Sequence, residues 1–415
     1  MCVLHKLSRI KKIPIGVVIA LIALTAAVSI SVSYLTAIRQ TNAKLQDINE
    51  RQAMFSKLGE IDTLVRGAFY GQIDETALSD ALAYGYAAGL NDENVLYLNS
   101  EDCKDYRSYA ENTTEPVCGI GVEVVQDAGT FRIVRVYENS TAQAAGLQVG
   151  DAILEIDGQK AENIAYLIAL SRLNQSEGME VNLTVARGNV EDATQEAQNL
   201  SVSVTCSKLD IGTVTGTLLD NQVGYLSVMR MRAETGKETE SWINTLREQG
   251  ATGWVIDLRG CGGTDEKAVA DVADLLLGEA DTVRAQNAAG NVETLYRSSG
   301  EKAAEGKVVC LVDSFTTGTA EVLAAALQDA GCTIVGQTTA GNAVRTTFSR
   351  LSDGSGLILP VGYYVRADDT QINGTGVVPD AAVALDESQA VLYRYGKLEV
   401  KQDAQVQAAS QAAAA

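Results

Sequence analysis

The inventory of side chains limits the chemistry of this chain before any motif is considered. The 415 residues include one histidine, His5, which precedes a long apolar run. Hydrolases with a histidine base and metal sites built on imidazole need a histidine inside the folded body. Both are therefore excluded, and hydrolysis would need a lysine or a carboxylate as its base. The cysteines have no paired metal-ligand spacing, so the sequence predicts neither a metal nor a cofactor.

Three turns in the second half of the chain are the candidate reaction centre. They are RGCGG at residues 259–263, FTTGTAE at residues 315–321 and TAGNAV at residues 339–344. Each lies at the end of a predicted strand or at the start of a predicted helix. No serine and no lysine occur between Phe315 and Arg345. The last two turns therefore offer neither a serine nucleophile nor a lysine base.

The remaining nucleophile types in these turns have simpler interpretations. Thr316, Thr317 and Thr319 stand before a helix, where hydroxyls usually cap the helix or bond the turn. Cys261 has no histidine and no identifiable lysine to activate it, so we interpret it as a buried thiol. The sequence thus predicts no catalytic residue.

The elements that would position these turns form two different patterns. Residues 220–386 alternate apolar strands with helices in the α/β manner, among them a buried apolar strand at residues 253–258 and a helix at residues 267–277. Residues 117–207 show short strands separated by Gly and Asp turns, with a helix at residues 164–173, and predict a small mixed β module. Apolar spacing predicts a helix over residues 38–66, either a stalk or short coiled coil or a helix packed on the body, and a second helix over residues 75–90.

The β module resembles a PDZ domain of the bacterial protease type. The resemblance is carried by GIGVEV at residues 119–124, by residues 140–146 and by GDAILEIDG at residues 150–158. It implies that the backbone amides of Gly119, Ile120, Gly121 and Val122 bind the terminal carboxylate of a peptide, which then adds as a strand. The two glycines suit this role because they leave the amides unobstructed. The alternative is a structural module whose groove is empty or blocked.

The order of segments resembles the carboxyl-terminal processing peptidases, also called tail-specific proteases, over about residues 60–386. This resemblance implies an α/β fold in which a PDZ-like β module joins a protease domain of the ClpP/crotonase type. Active members resemble one another in a Ser-Lys dyad: a serine three residues before a Glu at a helix start, and a lysine about 25 residues later, oriented by a glutamine.

This chain departs from the family pattern at all three positions. Gly318 stands in place of the serine, Asn342 in place of the lysine and Thr346 in place of the glutamine. Glycine has no side chain, and an amide does not accept a proton at a useful pH. The loop at residues 259–263 is also one residue shorter than the family's glycine loop, with Cys261 near the position of the family's asparagine.

The N-terminus predicts a membrane anchor. Residues 13–35 contain no charge and are long enough to cross a bilayer as a helix. Basic residues before them place residues 1–12 in the cytoplasm and the body outside the cell membrane. A cleaved signal peptide is the alternative. The formal charge of −20 excludes a nucleic-acid partner for the body.

Together these observations predict a single-pass, extracytoplasmic pseudopeptidase that binds protein C-termini or extended peptides of cell-envelope proteins, or regulates an active paralogue as a homo- or hetero-oligomer. The alternative is an active serine-type endopeptidase with an unrecognised nucleophile and base. The predicted organisation is a cytoplasmic tail (1–12), an anchor (13–37), a helical region (38–112), the PDZ domain (113–208), the protease-like domain (209–386) and a C-terminal segment (387–415). We expect an Ala- and Gln-rich disordered tail from Lys401 onward.

Overall fold

The computed structural model describes residues 51–111, 117–188, 197–209 and 212–414. The predicted anchor, residues 13–37, lies outside these ranges. Within them no helix has both the length and the apolar character needed to cross a membrane. The chain divides into two compact units after Leu78. In the first unit residues 51–68 form helix α1, in agreement with the helical pattern predicted there, and Arg66 forms ion pairs with Asp62 and Glu75.

The second unit begins within a helical segment. Helix α2 (Glu75–Ala88) crosses the division between the units, and strand β1 and helix α3 follow it. Helix α3 packs against the helix of the β module. These elements are β1 (Leu96–Leu98) and α3 (Ser100–Glu111).

The β module is a sheet of strand order β3-β4-β5-β7-β8, with β6 paired to β5. Strand β2 lies apart from this sheet and pairs antiparallel with β9. Alternating side chains such as Val181, Leu183 and Val185 on β7 are buried, as expected for a sheet that has one face on the core. The elements are β2 (Val117–Gly119), β3 (Val122–Asp127), β4 (Thr130–Val136), α4 (Thr141–Ala144), β5 (Ala152–Ile156), β6 (Gln159–Lys160), a short 3₁₀ turn (Ala161–Asn163), α5 (Tyr166–Leu173), β7 (Glu180–Arg187), β8 (Gln198–Thr205) and β9 (Ser207–Leu209).

The α/β domain is built on a sheet of order β10-β11-β13-β17-β18-β21. Strands β11, β13, β17 and β18 are parallel, so their carboxyl ends lie at one edge. The elements are β10 (Val214–Leu218), β11 (Val223–Val228), β12 (Arg230–Met231), α6 (Thr235–Glu248), β13 (Gly253–Asp257), β14 (Gly262–Gly263), α7 (Glu266–Leu276), β15 (Asp281–Asn287), β16 (Val292–Arg297), β17 (Val308–Val312), α8 (Thr319–Asp329), β18 (Thr333–Gly336), β19 (Val344–Arg350), β20 (Gly356–Tyr364), β21 (Ala381–Ala382), α9 (Glu387–Arg394) and α10 (Ala404–Ala414).

The two faces of this sheet pack against different helices. Ile256 and Cys310 face a core shared with α6, α7 and α8, whereas the alternate residues Val255 and Val309 face α10. A further sheet, β1-β20-β15-β16 with β19 on β20, lies beside this core.

The expectation of a disordered tail from Lys401 was wrong. Residues 404–414 form α10, and its Val406, Ala409 and Ala413 are buried against the sheet. Alanine favours a helix, and its small side chain lets α10 approach closely, so that a Cβ on Gly253 would meet the backbone of Ala413. The alanine-rich composition that predicted disorder is therefore also suited to close helix packing.

Candidate peptidase site and peptide-binding edge

The glycine loop begins at the carboxyl end of β13. Asp257 ends the strand, and its carboxylate accepts hydrogen bonds from the hydroxyl of Tyr225 at 2.6 Å and from the guanidinium of Arg259. The chain then turns at Gly260, where φ is +66°, and enters β14, which pairs in parallel with β12. The loop backbone is thus held on both sides, by β12 and by the buried side chains behind it.

Gly318 lies at the start of α8, opposite this loop. Its backbone has φ +62° and ψ −132°, a region that residues with a side chain rarely occupy. A Cβ built on it would lie 2.5 Å from the carbonyl oxygen of Gly263. Both the torsion angles and this approach fit glycine, so the position predicted to lack a nucleophile also leaves no room for one in this conformation.

Glu321 brings the second turn to the helix start. Its side chain is completely buried, and its carboxylate accepts hydrogen bonds from Thr339 Oγ1 (2.5 Å), Gly341 N (2.6 Å) and Asn342 N (2.9 Å). The amide of Glu321 itself donates to Gly318 O at 3.1 Å. Burial raises the pKa of the Glu321 carboxyl, against the opposing effect of these bonds. The structure therefore brings Gly318 and Asn342 together around one buried carboxylate.

Thr316 has the structural role predicted for it. Its hydroxyl is buried, donates to Leu258 O at 2.9 Å and accepts from the amide of Asp313. Thr319 Oγ1 is buried and has no hydrogen-bond partner within the described ranges. Thr346, at the third predicted position, is an exposed residue of β19.

Neither Lys267 nor Lys307 approaches these hydroxyls as an activating base. Lys267 is exposed on α7 and forms an ion pair with Asp271. Lys307 precedes β17, at the end of the sheet opposite the glycine loop, about 16 Å away along a five-residue strand. Burial raises the pKa of Cys261 well above its usual value, which keeps the thiol protonated and unreactive.

A buried arginine connects the glycine loop to the C-terminal segment. Arg259 donates to Asp403 Oδ2 and Gln405 Oε1, both at 2.8 Å, and its guanidinium lies 5.0 Å from the ring centroid of Tyr393. The hydroxyl of Tyr393 donates to Asp313, whose other oxygen accepts from the amide of Gly260. Residues more than 140 positions apart meet here, and no local pattern in the sequence predicted it.

The predicted carboxylate-binding residues lie at the entrance of β3. Gly121 has φ +88° and passes so close to Ser140 that a Cβ would overlap that side chain. The amide of Ile120 already donates to Leu173 O at 3.0 Å. Gly119 pairs with Ser207 across β2 and β9. The glycines have the expected close packing, but the Ile120 amide is engaged within the chain.

The edge of β3 is also partly occupied. The hydroxyl of Tyr166, at the first position of α5, donates to Val124 O at 2.8 Å. An incoming strand would also bond that carbonyl, so the Tyr166 hydroxyl competes with a peptide that extends along β3.

A buried ion pair joins the β module to the α/β domain. Glu123 on β3 accepts from Arg230 on β12, and both side chains are less than a tenth exposed. The hydroxyl of Tyr137 also donates to Glu123, at 2.9 Å. Since β12 pairs with β14, the ion pair connects the predicted peptide-binding edge to the glycine loop.

Comparison with known proteins agrees with this architecture. Residues 222–383 match peptidase family S41, and residues 118–203 match a PDZ domain. The carboxyl-terminal-processing protease of Synechocystis sp. is 30% identical over 312 residues, which cover 74% of this chain and 70% of the relative. The chain belongs to the carboxyl-terminal-processing protease family.

Other relatives support the same assignment to the carboxyl-terminal-processing proteases. The carboxy-terminal processing protease CtpA of Bacillus subtilis is 26% identical over 341 residues, covering 82% of this chain and 71% of that protein. The solved structure of the photosystem II D1 C-terminal processing protease shares the fold, with a TM-score of 0.60 at 23% identity over 83% of this chain and 90% of that chain. The PDZ module and the family predicted from sequence motifs are therefore confirmed.

Proposed function

We propose that this member of the family is a membrane-anchored, extracytoplasmic pseudopeptidase that binds protein C-termini or other extended segments, or regulates an active paralogue. The observation that carries the proposal is the backbone at Gly318. Its torsion angles are ones that residues with a side chain rarely adopt, and a Cβ there would lie 2.5 Å from the Gly263 carbonyl oxygen. A serine there would need the helix start or the glycine loop to move.

The surroundings of Gly318 support the same function. Asn342 occupies the position where the family has its lysine, and a buried carboxylate, Glu321, holds the backbone of that turn. The backbone amides around the glycine loop remain. Such amides bind a carbonyl or a carboxylate oxygen without breaking a bond. A scaffold with these parts is suited to holding a peptide.

Membrane attachment rests on the charge-free residues 13–35 and the basic residues before them. Binding of C-termini rests on the PDZ module, whose Gly119–Val122 segment has the expected close backbone packing. The hydroxyl of Tyr166 competes with the peptide for Val124 O, so we expect modest affinity for peptides.

Peptide titration with the full-length protein tests this function. One series uses peptides with a free C-terminal carboxylate, and the matched series carries a C-terminal amide. We expect the free acids to bind at least about tenfold more tightly and mass spectra after long incubation to show every peptide intact. Equal affinities would contradict carboxylate capture at residues 119–122, and shortened peptides would contradict the loss of hydrolysis.

A further inference from the structure

The sheet of the PDZ module has a second edge, strand β8. Strand β8 pairs with β7 along its whole length, from Gln198 to Thr205, and ends the sheet. On the other side of β7, Asn182 uses its amide and its carbonyl to bond Asp157. Asn182 therefore does not bond its neighbour Ser203 on β8, so the backbone of Ser203 points out of the sheet.

Alternation along the strand extends this orientation to four residues. Asn199, Ser201, Ser203 and Thr205 direct their N–H and C=O groups outward, whereas the residues between them bond β7. In the part of the chain that the structure describes, none of these outward groups has a hydrogen-bond partner. The four residues are also exposed. β8 thus presents a full-length unpaired edge.

The composition of this edge is unusual for an acidic protein. Residues 197–207 contain no charged side chain and no proline, in a chain whose residues are 21% charged and whose net charge is −20. Natural proteins usually protect an edge strand with charges, a proline or a bulge. β8 has none of these, and its register with β7 is unbroken.

We propose that β8 pairs antiparallel with β8 of a second copy of this chain, about a two-fold axis at Val202. In this register Ser201 faces Ser203 of the other copy, and Asn199 faces Thr205. All four outward residues then form hydrogen-bonded pairs, so every outward N–H and C=O finds a partner. Leu200 and Val204 meet on the inner face of the joined sheet.

The charge of the chain favours this strip over other contacts between copies. Two chains with a net charge of −20 each repel each other, and the repulsion is weakest where an uncharged segment meets itself. A strand pair alone buries less surface than the roughly 800 Å² per partner of a standard interface, so the dimer forms and dissociates readily. The pairing joins two PDZ modules into one sheet and leaves both β3 edges at its outer ends.

Disulfide trapping in the full-length protein tests the register. Val202 lies on the proposed axis in a non-hydrogen-bonded pair, where the Cα atoms are about 4.5 Å apart, within disulfide range. We expect Val202→Cys to form a cross-linked dimer under mild oxidation, with the 202–202 linkage identified by mass spectrometry. Ser349→Cys, on the exposed strand β19, is the control for random collision and should remain largely monomeric.

Two charge variants in the Val202→Cys background decide whether β8 pairs with itself. Ser201→Lys with Ser203→Lys places like charges opposite each other, whereas Ser201→Glu with Ser203→Lys places opposite charges there. Both variants keep the same lysine at position 203, beside Glu180, whose carboxylate accepts a hydrogen bond from the Ser203 hydroxyl. We expect the cross-linked fraction to be roughly tenfold lower in the first than in the second. Equal cross-linking in the two variants, or a Val202→Cys protein no more cross-linked than the control, would overturn the proposal.

Discussion

Replacement of Gly318 by alanine is a direct structural test of the proposed loss of the nucleophile. The added Cβ would lie 2.5 Å from Gly263 O, and the residue would have to keep φ +62°. The matched control is Gly331→Ala, directly after α8. Gly331 also has a positive φ, +88°, but a Cβ there would meet no atom within 4 Å. The two positions share a positive φ, so the difference between them reports the overlap with Gly263 together with the unusual ψ of −132° at Gly318.

The torsion angle alone costs about 1–2 kcal/mol for an alanine, which is the expected loss at Gly331. At Gly318 the overlap with a backbone carbonyl adds about 1–3 kcal/mol, the usual cost of overpacking. We therefore expect Gly318→Ala to lower the free energy of unfolding by about 2–5 kcal/mol. Most of the excess over the control comes from the contact with Gly263.

Denaturant unfolding followed by tryptophan fluorescence measures both variants in the relevant domain. The chain has two tryptophans, and both belong to the α/β domain, Trp242 on α6 and Trp254 on β13. The signal therefore reports the part of the protein that contains Gly318. Losses that agree within about 0.5 kcal/mol would refute the overlap argument, and with it the claim that this site excludes a side chain.

Three further variants test other parts of the structure. Asp403→Ala should lower the free energy of unfolding by about 2 kcal/mol, because the buried Arg259 loses one of two carboxylates; unchanged denaturation curves would contradict the buried network. Tyr166→Phe should tighten peptide binding about fivefold in calorimetry, since Val124 O no longer has to be released; weaker binding would exclude Tyr166 as an obstacle. Glu321→Gln tests the raised pKa of this carboxyl. Because the folded state favours the protonated form, the wild type should lose stability relative to the variant as the pH rises from about 4 to 7 in denaturant titrations. A difference in stability that stays constant with pH would contradict the raised pKa.

Local patterns in the sequence predicted much of the α/β domain. The apolar run at residues 253–258 and the periodic spacing at residues 267–277 predicted β13 and α7 nearly to their observed ends. Both elements are buried on the sides that the patterns indicated, since one is a central strand and the other faces the core. The placement of Gly318 at the start of α8 was predicted in the same way.

Long-range interactions were beyond these patterns. Two partners of Arg259, Asp403 and Gln405, lie just before and within the first turn of α10, and the sequence around Asp403 gives no sign of an arginine far along the chain. The tail of alanines was assigned to disorder because composition alone does not show that Gly253 on β13 lets a helix with small side chains pack closely against the sheet.

The peptide-binding edge shows a similar limit. The glycines at residues 119 and 121 predicted unobstructed amides, and the close packing at both positions agrees with glycine being required there. The residue that occupies the groove, Tyr166, comes from α5, and its contact with Val124 depends on how α5 packs on β3. Spacing in the sequence does not determine that packing.

The proposed absence of hydrolysis on a processing-protease scaffold can be measured by incubating the full-length protein with unfolded casein and following new amino groups over time. We expect no release above buffer, before or after treatment with a serine-directed phosphonate, and no covalent labelling of the protein. Cleavage that copurifies with the protein, and that the phosphonate abolishes while labelling this chain, would contradict it.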